Sequence, residues 1–544
     1  MIKNRYYNLN LSIYVVFLLL FIIGLITYKD YGVGIDDKFH RLNGFYWLNY
    51  ILSFTNFDDL KNLVDVKLNA ISDYSLPSVE KYNKYSIIFD VPAAMLELFL
   101  KIDNPKEYYE IRHFLNFLVF FIGCIFFYKL LNLRFDKVIA FFGTCLFILS
   151  PRIYGESFYN MKDIIYLTFL IISYYYCFKS FINFNLKNLI PLALFTALCI
   201  QTRILGLSIP ISFLFFFFLS VLSVPKDIKH LNKLGLYFLS LIIFTIIFWP
   251  YLWSSPVSNF ISTFNNWVPS IYILFNGNYI LNDFLPYSYI PVWILISCPI
   301  FHLLLFFFGT YELSKKIFKK IINVEKKSQN YDFWKDNYEK FDLFIFLNFF
   351  ILMILVIFLN IRLFNAWKHL YFVNFFLIYL ASFGLNTIYS NFKKLKKLNI
   401  FNISLIFILS FTTYEMYKYH PYQGLYFNFL IPDETKKKFE IDFTALSSKH
   451  FFNEIFQLEK GKAINIANAS WTPLIRTLDI FEKDKKERVT LVGQNYQKAE
   501  YIYTNHISEV DKRFNDKYDI PSNFFKLYEY KINGTLLYTV YKKK

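Results

Sequence analysis

The side chains that could do chemistry are gathered in a few short segments. GIDDKFHRLNG holds the adjacent carboxylates Asp36 and Asp37, with His40 and Arg41 close behind. Two carboxylates beside basic groups can supply a base whose pKa is set by those neighbours. A solvated turn and a cation site are the other readings of such a pair, so a divalent cation stays a candidate and the metal requirement is unknown. SPRIYGESFYNMKD adds Arg152, Glu156, Asn160, Lys162 and Asp163, with a structural Arg152–Glu156 ion pair as the plainer reading. Arg203 follows Gln201-Thr202, and IRLFNAWKHLYF carries Arg362, Lys368 and His369. Taken together these are proton acceptors and a set of cations suited to a phosphate. Snorkelling anchors are the alternative for the cations.

The elements that must position these groups are membrane helices. A chain of 544 residues that is 56% hydrophobic and 22% aromatic, with mean hydropathy +0.34, lies outside the range of soluble domains. Apolar segments near 11–28, 111–131, 138–150, 164–179, 188–201, 204–224, 234–250, 289–313, 341–360, 370–389 and 399–416 give about eleven transmembrane helices, some borrowing polar flanks to reach span length. Loops rich in lysine (Lys226, Lys229 and Lys233; Lys315, Lys316, Lys319 and Lys320; Lys393, Lys394, Lys396 and Lys397) alternate with the carboxylate-bearing segments. Lysine-rich loops stay cytoplasmic, so the chemistry-bearing segments are expected together on the opposite face. The net charge of +17 reads as topology and attraction to anionic membrane lipid, with no nucleic-acid partner. All five cysteines, Cys124, Cys145, Cys177, Cys199 and Cys298, lie in apolar stretches, which leaves no disulfide framework or zinc ligand set to build.

Residues 1–431 read as the multi-spanning membrane domain. Its first exterior loop, about 29–110, contains amphipathic stretches such as FYWLNYILSF and AAMLELFLKI, suited to lying on the membrane surface. WPYLWSSP opens a later exterior loop whose aromatics suit an interfacial belt. Residues 432–544 turn polar and read as a small C-terminal α/β extracytoplasmic domain. FTALSSKHFFNEIFQLEKG is helix-like, ended by Gly461; AINIANA, RVTLVG and AEYIYTNH are strand-like; and FKLYEYKINGTLLYTVY is a hairpin turning at Asn533-Gly534.

The order of acidic motifs and spans resembles the GT-C superfamily of membrane glycosyltransferases, in particular the bacterial relatives of the protein O-mannosyltransferases and the lipid A aminoarabinose transferases. In that superfamily an acidic motif lies in the first exterior loop, just after the first span, and a second acidic residue lies in the next exterior loop. GIDDKFHRLNG matches the first and SPRIYGESFYNMKD the second. The usual Asp-Glu is Asp36-Asp37 here, which leaves open which of the two is the base.

The resemblance implies a polytopic α-helical GT-C fold and a polyprenyl-phosphate-linked sugar as donor. The expected exterior placement of these residues points to the same donor, because nucleotide sugars are not supplied outside the cytosol and a lipid carrier reaches the bilayer edge. The expectation is therefore a glycosyltransferase, hexosyl- or pentosyl-transferring, in the bacterial inner (plasma) membrane, with its site facing the periplasm or exterior. It would pass the sugar by inverting displacement to a lipid, glycan or protein acceptor. Asp36, Asp37, Asp163 and Glu156 are the catalytic candidates. Lys162, Arg203, Lys368, His369, Arg362 and Arg152 are candidates for the donor phosphate, and His40, Arg41 and Asn160 for the acceptor or the loop. A transporter or lipid-linked-sugar flippase, a surface-polysaccharide ligase or polymerase, and an envelope scaffold are the rival classes.

Overall fold

The computed structural model describes residues 2–71, 86–223, 225–264, 269–322 and 333–544; residues 72–85 of the first expected exterior loop lie outside them. The protein is a polytopic helical membrane protein carrying a small C-terminal sheet domain.

Each apolar segment read from the sequence is helical. In chain order the helices are α1 (Ile2–Thr27), α2 (Asp37–Leu52), α3 (Asp58–Ala70), α4 (Asp90–Phe99), α5 (Pro105–Arg134), α6 (Lys137–Ile148), α7 (Pro151–Tyr159), α8 (Asp163–Ile182), α9 (Leu186–Thr202), α10 (Ser208–Ser223), α11 (Leu231–Ile247), α12 (Pro256–Ser262), α13 (Tyr289–Ser297), α14 (Ile300–Ile322), α15 (Asn337–Phe358), α16 (Val373–Lys394) and α17 (Leu398–Lys418). Among the described residues seven helices are individually long and apolar enough to cross a bilayer, or up to eight if α6 and α7 form one span bent by 61°. Of the other expected spans, α1 runs 26 residues, α9 is shorter, and the one over 289–313 is broken.

The span expected over 289–313 divides between α13 and α14 at Cys298-Pro299. Proline has no N–H to continue the ladder, and the side-chain amide of Asn428 donates to the carbonyls of Leu295 at 2.7 Å and Cys298 at 3.2 Å. A membrane helix tolerates such a break where another group satisfies the freed carbonyls. α14 then crosses α16 with almost no side chain between them: a Cβ on Gly309 would meet the Leu380 carbonyl, and one on Gly384 would meet the Leu305 carbonyl. Small residues at such a crossing let two apolar helices gain close van der Waals contact in lipid.

Lysine-rich turns and carboxylate-bearing loops gather at opposite ends of this bundle. At one end Lys316 and Lys320 pair with Glu339, Lys233 donates to the Phe184 carbonyl, and Arg134 pairs with Asp342. At the other end the segment after α1 meets the C-terminal domain. Ile35 N–H donates to the Thr444 carbonyl at 3.0 Å, and Lys449 donates to the carbonyls of Lys29 and Tyr31. Here α2, α3 and α4 form a cap with its own apolar core of Phe45, Trp47, Leu48, Leu52, Val64, Val91 and Ala94.

Two β units also lie at this end. The strands β1 (Tyr272–Phe275) and β2 (Asn278–Leu281) make an antiparallel hairpin inside the loop that WPYLWSSP opens. Its turn is Asn276-Gly277, both at positive φ, the type I′ geometry that matches strand twist. The C-terminal sheet runs β4 (Val489–Leu491), β3 (Ile464–Asn468), β5 (Tyr501–Thr504), β7 (Thr535–Lys543), β6 (Phe524–Ile532), with parallel β4-β3-β5 and antiparallel β5-β7-β6. The expected strands, the Asn533-Gly534 turn with both residues at positive φ, and the helix over Ser448–Leu458 are all present.

Candidate active site

Asp36 and Asp37 are neighbours in sequence with opposite surroundings. Asp37 is fully buried; one oxygen accepts from Gly34 N–H at 2.9 Å and lies 2.9 Å from His113 Nε2 on α5. It ties the turn before α2 to the membrane bundle. Asp36 points the other way, with an oxygen 2.7 Å from the Lys368 ammonium. Its side chain keeps 53% of its accessible surface although protein surrounds it closely enough for desolvation to count, as for a group on the wall of a recess. Burial opposes its ionisation, yet the charge and hydrogen bond of Lys368, with His40 and Arg476, outweigh this and hold the carboxyl well below the usual carboxylate range.

Lys368 is presented by a loop held from several sides. Asn365 and Ala366 both take positive φ, a conformation non-glycine residues adopt at a cost and keep only where their surroundings impose it. Tyr289 donates to the Ala366 carbonyl at 3.1 Å, and Trp367 Nε1 donates to Ser297 Oγ at 2.8 Å. Beneath the turn, backbone groups of Leu274 and Asn365 bond the buried Glu440, whose carboxyl is pushed up to about 8 by burial. The α13 end, the β1-β2 hairpin and the C-terminal region therefore all bear on the position of Lys368.

Within the charge range of Asp36, SPRIYGESFYNMKD is a helix and a tight turn instead of a plain reversal. Pro151 opens α7 after Ser150, where a proline costs no hydrogen bond. The turn begins at Asn160, whose side-chain oxygen accepts from the N–H of Asp163 at 2.9 Å and whose amide donates to Glu156 at 2.9 Å and Asp163 at 3.1 Å. Asn160 thus sets the start of α8 and the spacing of both carboxylates. Asp163 accepts from Arg203 Nε at 2.6 Å, and Glu156 accepts from Tyr371 at 3.3 Å.

Lys162 and His369 lie in the same electrostatic neighbourhood. Burial pushes the Lys162 amine well below its ordinary value and Arg203 adds to this, against Asp163 and Asp36. His369 is lowered by burial and by Arg203 as well. His40 is raised: burial disfavours its charge, but Asp90, 3.0 Å from Nδ1, and Asp36 more than compensate.

Three basic residues singled out in the sequence are engaged elsewhere. Arg41 grips Glu97 with Nε and Nη2 at 3.0 and 2.6 Å, with its guanidinium 3.9 Å from the Tyr108 ring centre. Arg152 donates to the Tyr426 carbonyl at 3.0 Å between the rings of Trp293 and Phe427. Arg362 pairs with Asp283 at 2.5 Å. The structure therefore brings together Asp36, His40, Glu156, Asn160, Lys162, Asp163, Arg203, Lys368 and His369.

Sequence reading missed Tyr371, His113 and Arg476, the last of which donates from the C-terminal domain to the Ile35 carbonyl. No local motif marks any of them. Among the described residues no group of three or more His, Cys, Asp or Glu side chains is arranged to hold a metal ion. The adjacent aspartates diverge, one to Lys368 and the other to His113, so the two do not chelate a cation as a pair.

The fold is similar to two solved structures. One is the archaeal oligosaccharyltransferase AglB from Archaeoglobus fulgidus, in complex with an inhibitory peptide and a dolichol-phosphate; the match has a TM-score of 0.48 at 9% identity and covers 92% of this chain and 70% of that one. The other is ArnT from Cupriavidus metallidurans bound to undecaprenyl phosphate, with a TM-score of 0.44 at 10% identity over 97% of each chain. No family model and no curated protein matches the sequence.

Proposed function

We propose that this protein is a glycosyltransferase that moves a sugar from a polyprenyl-phosphate carrier to an acceptor hydroxyl on the extracytoplasmic side of the bacterial inner membrane. The observation that carries the reading is the half-exposed Asp36 carboxylate, held ionised by Lys368 at 2.7 Å opposite Lys162 and the Arg203–Asp163 pair. One wall can take a proton, and the other can receive a leaving phosphate.

In this reading Asp36 is the general base. It accepts the proton of the acceptor hydroxyl as that oxygen attacks the anomeric carbon. The bond from that carbon to the phosphate oxygen breaks with inversion, and the carrier leaves as polyprenyl phosphate with one more negative charge than it had as a diester. Lys368, Arg203, Lys162 and His369 sit where that charge develops, and fixed charges of this kind lower the barrier because they need no reorganisation. The ammonium of Lys368 can follow the phosphate and release Asp36 as it becomes protonated. Asp37, Asn160 and Asp163 hold the geometry, and Glu156 lies behind it against Tyr371.

The experiment is genetic complementation read by mass spectrometry of envelope lipids, polysaccharides and glycoproteins. Cells lacking the protein should lack one sugar modification, which the wild-type chain restores and Asp36→Asn does not. Full restoration by Asp36→Asn rejects the assignment. A transporter or flippase would instead leave lipid-linked sugar on the wrong leaflet in the deletion strain.

A further inference from the structure

We propose that Arg476, supplied by the C-terminal domain, is a positioning residue for Asp36, so that the site is complete only when that domain is docked. The inference rests on the reading of Asp36 as the base.

The peptide preceding Asp36 is fixed on both sides by the C-terminal region. Ile35 N–H donates to the Thr444 carbonyl at 3.0 Å, and the Ile35 carbonyl accepts from Arg476 Nη1. Gly32 lies so close to the Leu446 carbonyl that a Cβ there would sit 2.4 Å from it, so this stretch of chain rests directly on the 442–447 turn. That turn is itself held: Asp442 accepts from the backbone N–H groups of Leu446 and Ser447 at 3.1 Å each, and Asn505 donates to the Asp442 carbonyl at 2.8 Å. Arg476 is 7% exposed, and its charge acts on the Asp36 carboxylate.

A buried guanidinium that bonds the carbonyl of residue 35 and acts by its charge on the carboxylate of residue 36 constrains where that carboxylate points. Removing it leaves Lys368 to draw Asp36 toward itself and away from an incoming hydroxyl. The expected signature is a loss in kcat with little change in donor KM, because the phosphate-facing cations stay in place.

The test uses the full-length protein in nanodiscs. Arg476→Ala should lose about ten- to a hundredfold in kcat, the range for one charge-assisted hydrogen bond, and added guanidinium ion should restore part of it. Arg476→Lys should fall between. Lys449→Ala removes another contact of the same seam, to the carbonyls of Lys29 and Tyr31, without touching Asp36, and should keep wild-type turnover. Equal losses in Lys449→Ala and Arg476→Ala, with no guanidinium rescue, would mean that Arg476 only glues the domains and would overturn the proposal. Wild-type turnover in Arg476→Ala while Asp36→Asn is inactive overturns the proposal alone; an active Asp36→Asn overturns the base assignment on which it stands.

Discussion

Two charged clusters lie at the same end of the bundle and behave differently. In the cap, Glu97 is closed between Arg41 and Arg112, at 2.6 and 3.5 Å, with all three side chains buried. In the recess, Asp36 and Asp163 meet Lys368, Arg203, Lys162 and His369, and Asp36 stays half exposed. In the first cluster the carboxylate is enclosed by two buried guanidinium groups, a closed ion pairing of the kind that retains buried charge for structure. The second gathers four basic side chains around two carboxylates, one of them half exposed, an arrangement that suits a ligand carrying negative charge. Residue type alone does not separate the two, since Arg41 lies five positions after Asp36.

Substitutions in each cluster sharpen this contrast. The largest effect on turnover is expected for Asp36→Asn, a loss of about a hundred- to ten-thousandfold, the contribution of a general base, with thermal stability in detergent close to wild type. Next come Lys368→Ala and Arg203→Ala, each removing a charge-assisted contact worth about 1.5–3 kcal/mol; donor titrations should show a ten- to more than hundredfold loss while acceptor dependence hardly changes.

Glu97→Gln should do the reverse. Breaking a buried ion pair from one side costs about 3–5 kcal/mol of stability, and the turnover of molecules that remain folded should stay near wild type. A Glu97→Gln protein that is stable but inactive would erase the distinction between the clusters.

Protonation gives finer tests. Burial and Arg203 push Lys162 well below its ordinary value, whereas a bound phosphate would raise it again. Donor binding should therefore take up a proton, and affinity should weaken as pH rises; calorimetry in buffers of different ionisation enthalpy measures this, and Lys162→Met should abolish it. Glu440 offers the smallest effect. Its folded carboxyl sits at about 8, against an ordinary value of 4.5, so the folded state holds a proton that the unfolded chain releases. Its contribution is full below the unfolded value and is lost as pH rises toward 8. Glu440→Gln should flatten that decline in melting temperature between mildly acidic and mildly alkaline pH.

Much of this was legible in the sequence, for reasons that differ by element. Apolar length and the sorting of lysines revealed the helices and which loops share an end, because both follow from the cost of charge in a bilayer. The Asn533-Gly534 turn was legible through its backbone preference. The same signal at Asn276-Gly277 marks the β1-β2 hairpin, in a loop whose other conspicuous feature is the aromatic run WPYLWSSP. The break at Pro299 was hidden because the residue that compensates it, Asn428, lies far along the chain.

At the site, the residue types pointed to Asp36 and Asp37 together but not to their division of labour. That division is made by His113, Lys368 and Arg476, which are brought in from α5, from the loop before α16 and from the C-terminal domain. Arg152 and Arg362 stood beside Arg203 as phosphate candidates in the sequence, and Arg41 as a candidate for the acceptor or the loop. Their partners Glu97, Tyr426 and Asp283 lie in segments that carry no motif.

The central claim is that the recess binds a lipid phosphate, and the product common to any donor sugar tests it most directly. Binding of undecaprenyl phosphate to the full-length protein in nanodiscs should be saturable. It should weaken at least about tenfold in Lys368→Ala and in Arg203→Ala, and hold or strengthen in Asp36→Asn, where a competing negative charge is gone. Equal binding by all four proteins, or binding of the uncharged undecaprenol as tight as that of the phosphate, would contradict the account.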